Sequence, residues 1–334
     1  MVNNKKGSQV KRRTSRKILC AIVAWIMLVF LCTGCGTTND TSLTPESEGG
    51  GKIDEAPENE ESEIVEPEKH EIPESGTARY EYPDGSVYEG EWKDGLWNGA
   101  GEYKSSYGWE YKGDFVDGKR EGTGVYVYKS MTYEGEWKDD MKSGQGKLVR
   151  DDGLEYEGGW ANDLYEGKGT LKSRDGWVYE GDFSEGEITG KGVMIYADGS
   201  KYEGDMVNGL RHGKGILSFT NGSVYEGDFS NDSIHGQGIL TGRDGWKYEG
   251  SWSENKRNGK GKFTFSDGSY YEGDWKNDER NGSGNQVYFG DDGSIAATYT
   301  GDFVDGKRHG NGTMVYPDGH EQKGKWQNDQ FVGE

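Results

Sequence analysis

From Tyr80 onward the chain alternates bulky apolar and polar residues with a period of two, and the alternation breaks every ten residues or so at turn-forming dipeptides. In the stretch Gly261-Lys-Phe-Thr-Phe-Ser-Asp-Gly-Ser-Tyr-Tyr-Glu-Gly-Asp-Trp275, two alternating runs flank Asp267-Gly268. Alternation of this kind around Asp-Gly predicts a β-hairpin. Phe263 and Phe265 then share one face with Tyr271, Gly273 and Trp275, and Glu272 and Asp274 point to the other, toward solvent. The turn dipeptide returns as Asp84-Gly85, Asp152-Gly153, Asp175-Gly176, Asp198-Gly199, Asn221-Gly222, Asp244-Gly245, Asp292-Gly293 and Asp318-Gly319.

The hairpin is itself repeated. An aromatic-x-Gly-acid-aromatic phrase begins at Tyr88, Tyr111, Tyr133, Tyr156, Tyr179, Tyr202, Tyr225, Tyr248, Tyr271 and Tyr299, and a worn eleventh copy reads Gln322-Lys-Gly-Lys-Trp326. The step is almost always 23 residues, and a Gly-x-Gly follows the first ten copies at a nearly fixed offset. The one step of 22 falls where Lys129-Ser-Met-Thr132 replaces the Asp-Gly turn, as a hairpin loop one residue shorter requires. A period of this length means stacked units, each burying its apolar face against its neighbours. Glycines in both phrases leave room beside the rings or supply a positive φ. No helical pattern follows Gly-x-Gly, which sets aside a phosphate-binding loop.

These phrases resemble the MORN repeat family over about residues 80–334. The resemblance implies an all-β fold: an elongated single-layer antiparallel sheet of consecutive hairpins, with one face grooved and lined by the motif aromatics. At about 4.8 Å between strands, eleven two-stranded units come to roughly 100 Å. Lys112, Met206, Gly159, Ser251 and an insertion near Phe289-Gly290-Asp291 depart from the pattern without disturbing its register.

Ahead of the repeats the composition changes twice. Residues 1–17 hold seven basic side chains and no acid, which leaves the rest of the chain at −28. An uncharged run from Ile18 to Cys32 follows, too short for a membrane span of about 20 residues but suited to the apolar region of a secretory signal. Leu31-Cys-Thr-Gly-Cys-Gly36 then resembles a bacterial lipoprotein signal. That resemblance implies cleavage after Gly34 and diacylation of Cys35, and it departs from the pattern at Cys32, where an aliphatic residue is usual. The expected organisation is a signal over 1–34, a lipidated Cys35 with a disordered acidic linker over 35–79, and the repeat array over 80–334. An uncleaved short helix is the alternative anchor. Residues 36–79 carry 13 acids against three bases and few apolar side chains, too few to offset the entropy of ordering the backbone.

Charge and chemistry narrow the function. The array alone has 47 acids and 29 bases, a balance that repels nucleic acid and anionic headgroups. All three cysteines lie in or beside the signal, so Cys32 and Cys35 form a lone C-x-x-C without a second pair for zinc. His212, His235 and His309 precede Gly-x-Gly at positions that other units fill with Asn, Glu, Ser or Thr. No nucleophile-base set stands apart from the repeat, so no enzyme, cofactor or metal is expected. The aromatic stripe, with Trp92, Trp137, Trp160, Trp252 and Trp275, offers candidate groove residues, although a one-layer sheet must first use such rings as its own core. The reading is a scaffold for protein partners, membrane-tethered on the outside of a bacterial cell. Direct binding of phospholipid or wall glycan is the alternative, and whether copies pair is left open.

Overall fold

The computed structural model describes residues 71–334. The segments read as signal, Cys35 and most of the acidic linker lie outside the described residues. Among the described residues there are 23 strands and no helix, from β1 (Ser75–Glu81) to β23 (Gln330–Gly333). Each strand pairs antiparallel with the next in sequence, so the chain is one sheet of successive hairpins. This is the single-layer architecture the repeat pattern predicts.

Two kinds of turn alternate. Between β17 (Lys256–Thr264) and β18 (Tyr270–Lys276) the Gly268 amide donates to the Phe265 carbonyl (3.0 Å) and the Phe265 amide donates to Ser269 O (2.7 Å). Gly268 sits at φ +89°, which closes a type I turn with a bulge and explains the glycine after Asp267. The other turn, between β18 and β19 (Glu279–Phe289), has only two central residues, Asn277 (φ +49°) and Asp278 (φ +74°). Two successive positive φ values mark a type I′ hairpin, the loop that matches the twist of its strands.

The core is one face of this sheet. Tyr88, Tyr111, Tyr133, Tyr156, Tyr179, Tyr202, Tyr225, Tyr248, Tyr271 and Tyr299 are fully buried although no second layer covers them. Each ring lies flat along its own sheet over a cross-strand glycine pair. A Cβ at Gly101, for example, would sit 2.4 Å from the Tyr88 hydroxyl, and one at its partner Gly90 would meet Gly101 Cα at 2.5 Å. The hydroxyl then donates to the carbonyl three residues on, as Tyr88 does to Glu91 O (2.9 Å). The second motif aromatic packs edge-on against that tyrosine and against the tyrosine of the preceding unit. Tyr248 touches Trp252 at 5.0 Å and Trp275 at 5.3 Å between centroids, both near perpendicular. Rings of adjacent units are thereby locked in series, in the offset geometry that aromatic quadrupoles favour.

Candidate functional site: a charged groove on the face opposite the rings

The five tryptophans named from sequence are core. Trp92, Trp137, Trp160, Trp252 and Trp275 are each 6 % exposed or less. The indole N–H of four of them is spent on the second glycine of the preceding Gly-x-Gly, with Trp160 donating to Gly146 O and Trp275 to Gly261 O at 3.1 Å. Trp137 and Trp252 do the same, and Trp92 donates to Ala78 O. Trp326 in the worn copy does so too, to Gly312 O, so the eleventh unit keeps the fold of the others.

The groove lies on the other face, and the expectation of a trough lined by motif aromatics is corrected here. Tyrosine rings lying flat fill their own face. The reverse side carries no rings over the same glycine pairs, only backbone flanked by charged, polar and aliphatic side chains, and it stays open. The open channel is about 1350 Å³ and is floored by the glycine pairs from Gly158 to Gly250. One row of side chains crosses it strand by strand: Glu180, Val193, Glu203, Ile216, Glu226, Ile239, each directly opposite the next. Glutamates from the phrase therefore recur on every second strand, about 9.6 Å apart at ordinary strand spacing, with an aliphatic residue between them. Glu180 and Glu226 have no ion pair among the described residues, whereas Glu203 meets Lys201 at 3.0 Å.

A parallel row is nearly neutral. Lys168, Lys191, Lys214 and Lys260, the middle residues of Gly-x-Gly, reach Asp182 (2.6 Å), Asp205 (3.1 Å), Asp228 (2.5 Å) and Asp274 (2.7 Å) across the strand gap. These aspartates are not merely solvated, as their position on the outer face had suggested. The register slips after Gly273, so that Asn281, Gly282 and Ser283 bulge opposite Asp274 alone, with Gly282 at φ +109°. The Asp274 carboxylate fills the bulge and accepts the Ser283 N–H at 3.0 Å. Seven other units repeat the bond, from Glu91 with Ala100 to Asp302 with Asn311. The Lys168 ammonium and the Lys191 amide hold the Asp182 carboxyl below its ordinary range, and the Lys214 amide and the Lys191 ammonium do so for Asp205. Gly159 has no side chain to make this bond, and the Ser251 hydroxyl accepts the Gln237 side-chain amide at 2.9 Å instead.

Among the described residues no three His, Cys, Asp or Glu side chains converge on a metal position. The strongly shifted groups are the buried tyrosines of the opposite face. Burial, with the Glu91 carboxylate second, pushes Tyr88 up to about 12.

An open one-layer sheet of hairpins, each locked to the next by its rings, is a repeat scaffold with a groove along one face. The chain belongs to the MORN repeat family: the MORN repeat model matches ten units, at residues 88–107, 111–130, 133–155, 156–178, 179–201, 202–224, 225–247, 248–270, 271–290 and 299–321. No curated protein matches the chain. Among solved structures it is similar to the TCP10 domain of Danio rerio CPAP in complex with a peptide of Danio rerio STIL, at 12% identity and a TM-score of 0.36, over 61% of this chain and 92% of that one. It is also similar to the SAS-4 (dCPAP) TCP domain in complex with a proline rich motif of Ana2 (dSTIL) of Drosophila melanogaster, at 14% identity and a TM-score of 0.29, over 53% and 86%. A streptogramin B lyase structure follows at 11% and 0.14, over 77% and 85%. At these scores the likeness carries no functional argument.

Proposed function

We propose that this protein is a non-enzymatic scaffold, tethered to the outer face of a bacterial membrane through Cys35, whose groove receives a protein partner with basic and apolar side chains in alternation. The observation that carries this reading is the row Glu180, Val193, Glu203, Ile216, Glu226, Ile239, a repeating acid-aliphatic pattern over a floor of bare backbone. Buried side chains give the array its stability, so the groove row is free to serve recognition. Carboxylates spaced along a concave surface attract cationic partners and raise their rate of encounter. The aliphatic residues between them supply the area that charge alone does not. The same carboxylates oppose docking on anionic phospholipid.

A photo-crosslinking side chain at Ile216 of the full-length protein tests the groove in cells. We expect a discrete protein adduct that is lost when Glu180, Glu203 and Glu226 are all changed to Lys. Crosslinks to lipid only, or an adduct indifferent to the triple change, would overturn the reading. The tether is tested separately: Cys35→Ser should abolish lipid labelling and release the protein from membranes, and persistent membrane association would favour an uncleaved helix instead.

A further inference from the structure

The first strand of the array has, among the described residues, an open edge, and that edge fits itself. Among the described residues β1 (Ser75–Glu81) pairs with β2 (Val87–Lys93) alone. Its peptide groups divide cleanly between the two sides. Tyr82 N–H donates to Ser86 O inside the hairpin, and Ala78 O accepts the Trp92 indole N–H on the side of β2. Even-numbered residues therefore turn their backbone inward, and Arg79 and Glu81 turn theirs to the open edge, since alternate residues of an antiparallel strand bond to opposite sides. An unpaired edge of this kind is a template for another strand. The lower half of β1 is less suited, because Gly76 at φ +92° holds the bulge conformation of the later Gly-x-Gly units.

We propose that two copies of this chain join through their β1 edges, antiparallel about a two-fold axis at Tyr80, to make one continuous sheet. In that register Arg79 faces Glu81 of the second copy and Glu81 faces its Arg79. Both hydrogen-bonded pairs match opposite charges, and the flat stretch from Ala78 to Tyr82 is used without the bulge. The two side chains are exposed and meet each other along the strand at 3.3 Å, so they can exchange that contact for one across the interface. Identical faces stay on identical sides, which continues the ring face and the charged face of each array into the other.

The alternative is head-to-tail growth, in which β1 of one copy extends the last units of another in the register of the repeat. There Arg79 would oppose Lys323 and Glu81 would oppose Glu321, because Ala78 would pair with Gly324 of β22 (Glu321–Gln327) as Gly101, its equivalent one unit on, pairs with Gly90. Like charges directly opposite in a sheet are destabilising. The C-terminal edge is blunted besides: β23 covers only Lys325 to Gln327, and Lys323 and Lys325 stand where other units carry acids. Lysine on an edge strand discourages pairing. Charge thus selects a closed two-fold dimer over a growing fibre.

Light scattering with size-exclusion chromatography on the full chain in detergent tests this over a range of concentrations. Wild type should show a dimer that dissociates on dilution, as befits an interface of one short strand pair. Arg79→Glu places a carboxylate opposite Glu81 in both pairs and should weaken the dimer about tenfold or more. Glu81→Arg should do the same, and the double exchange R79E/E81R, which restores opposite charges, should recover the wild-type constant. Rescue separates the proposal from simple loss of folding in the single variants. A wild type monomeric at every concentration overturns it, as does an R79E variant that associates more strongly, which is the head-to-tail result.

Discussion

At the scale of single residues, three positions in each unit explain one another. A tyrosine can be fully buried in a one-layer sheet only because two glycines beneath it are paired across the strands. Their missing side chains make the hollow in which the ring lies, and the ring's hydroxyl closes it on a backbone carbonyl. At Gly204 an added Cβ would meet Lys214 O and the Tyr202 hydroxyl at 2.5 Å and Gly215 Cα at 2.6 Å, two of them rigid backbone. Gly204→Val should therefore cost on the order of 3 kcal/mol and lower the melting temperature of the whole array. Glu203→Val, one residue away on the open face, should leave the melting curve within a degree or two of wild type. Equal curves for Gly204→Val and wild type would remove the packing argument.

At the scale of the hairpin, the second turn is tied to its neighbour. The Asp278 carboxylate accepts the Arg257 N–H at 3.0 Å and its Nε–H at 3.1 Å, and Asp278 O accepts Nη2–H at 2.8 Å. The Arg257 guanidinium lies over the Trp275 ring, 4.3 Å from its centroid. Arg120 with Asp140, Arg211 with Asp232 and Arg308 with Asp329 repeat the clamp. We expect Asp278→Ala to cost about 2 kcal/mol, through the lost acceptor and a positive φ that alanine resists. Asp278→Asn should cost little, since Asn255 plays the same part for the Ile234 N–H at 2.8 Å. Chemical denaturation of the two variants checks the order.

How far the hairpins could be read in advance follows from these same residues. Asp267-Gly268 announced its turn because the φ +89° position is glycine in nearly every unit. The second turn left no such mark: its positive φ values fall on Asp94-Gly95 in one unit, Asn162-Asp163 in another and Glu254-Asn255 in a third. The tyrosines and tryptophans were assigned to one face correctly by alternation alone. Asp274 was read as solvated because its backbone partner, Ser283, lies nine residues away and opposite it only through a bulge. The groove was placed on the ring face for a related reason. Alternation tells which residues share a face, and it does not tell that rings lying flat fill one side and leave the other bare.

At the scale of the array, stability is a chain of nearest-neighbour contacts, since each unit touches only the units beside it. The ring series is interrupted once between ordinary units, where Met206 replaces the aromatic beside Tyr179 and Tyr202. Methionine fills that gap and is buried. Restoring the pattern with Met206→Phe should raise the melting temperature by a few degrees, a gain of about 1 kcal/mol from the recovered edge-to-face pairs.

Burial also gives the array a pH dependence. Tyr88, Tyr179 and Tyr299 are pushed up to about 12 from an ordinary 10.0, and the other buried tyrosines higher still, in each case first by burial. A folded-state value above the unfolded one means that the stability these groups contribute is complete below pH 10 and is lost as pH rises through the folded values. The central claim, that ten tyrosines form the core of a sheet without a second layer, is therefore tested most directly by an alkaline titration of tyrosinate absorbance alongside the β-sheet circular dichroism. If it holds, the ten buried tyrosines will ionise only well above the ordinary 10.0 and together with loss of the sheet signal. Ionisation of all 21 near pH 10 with the sheet signal intact would contradict it.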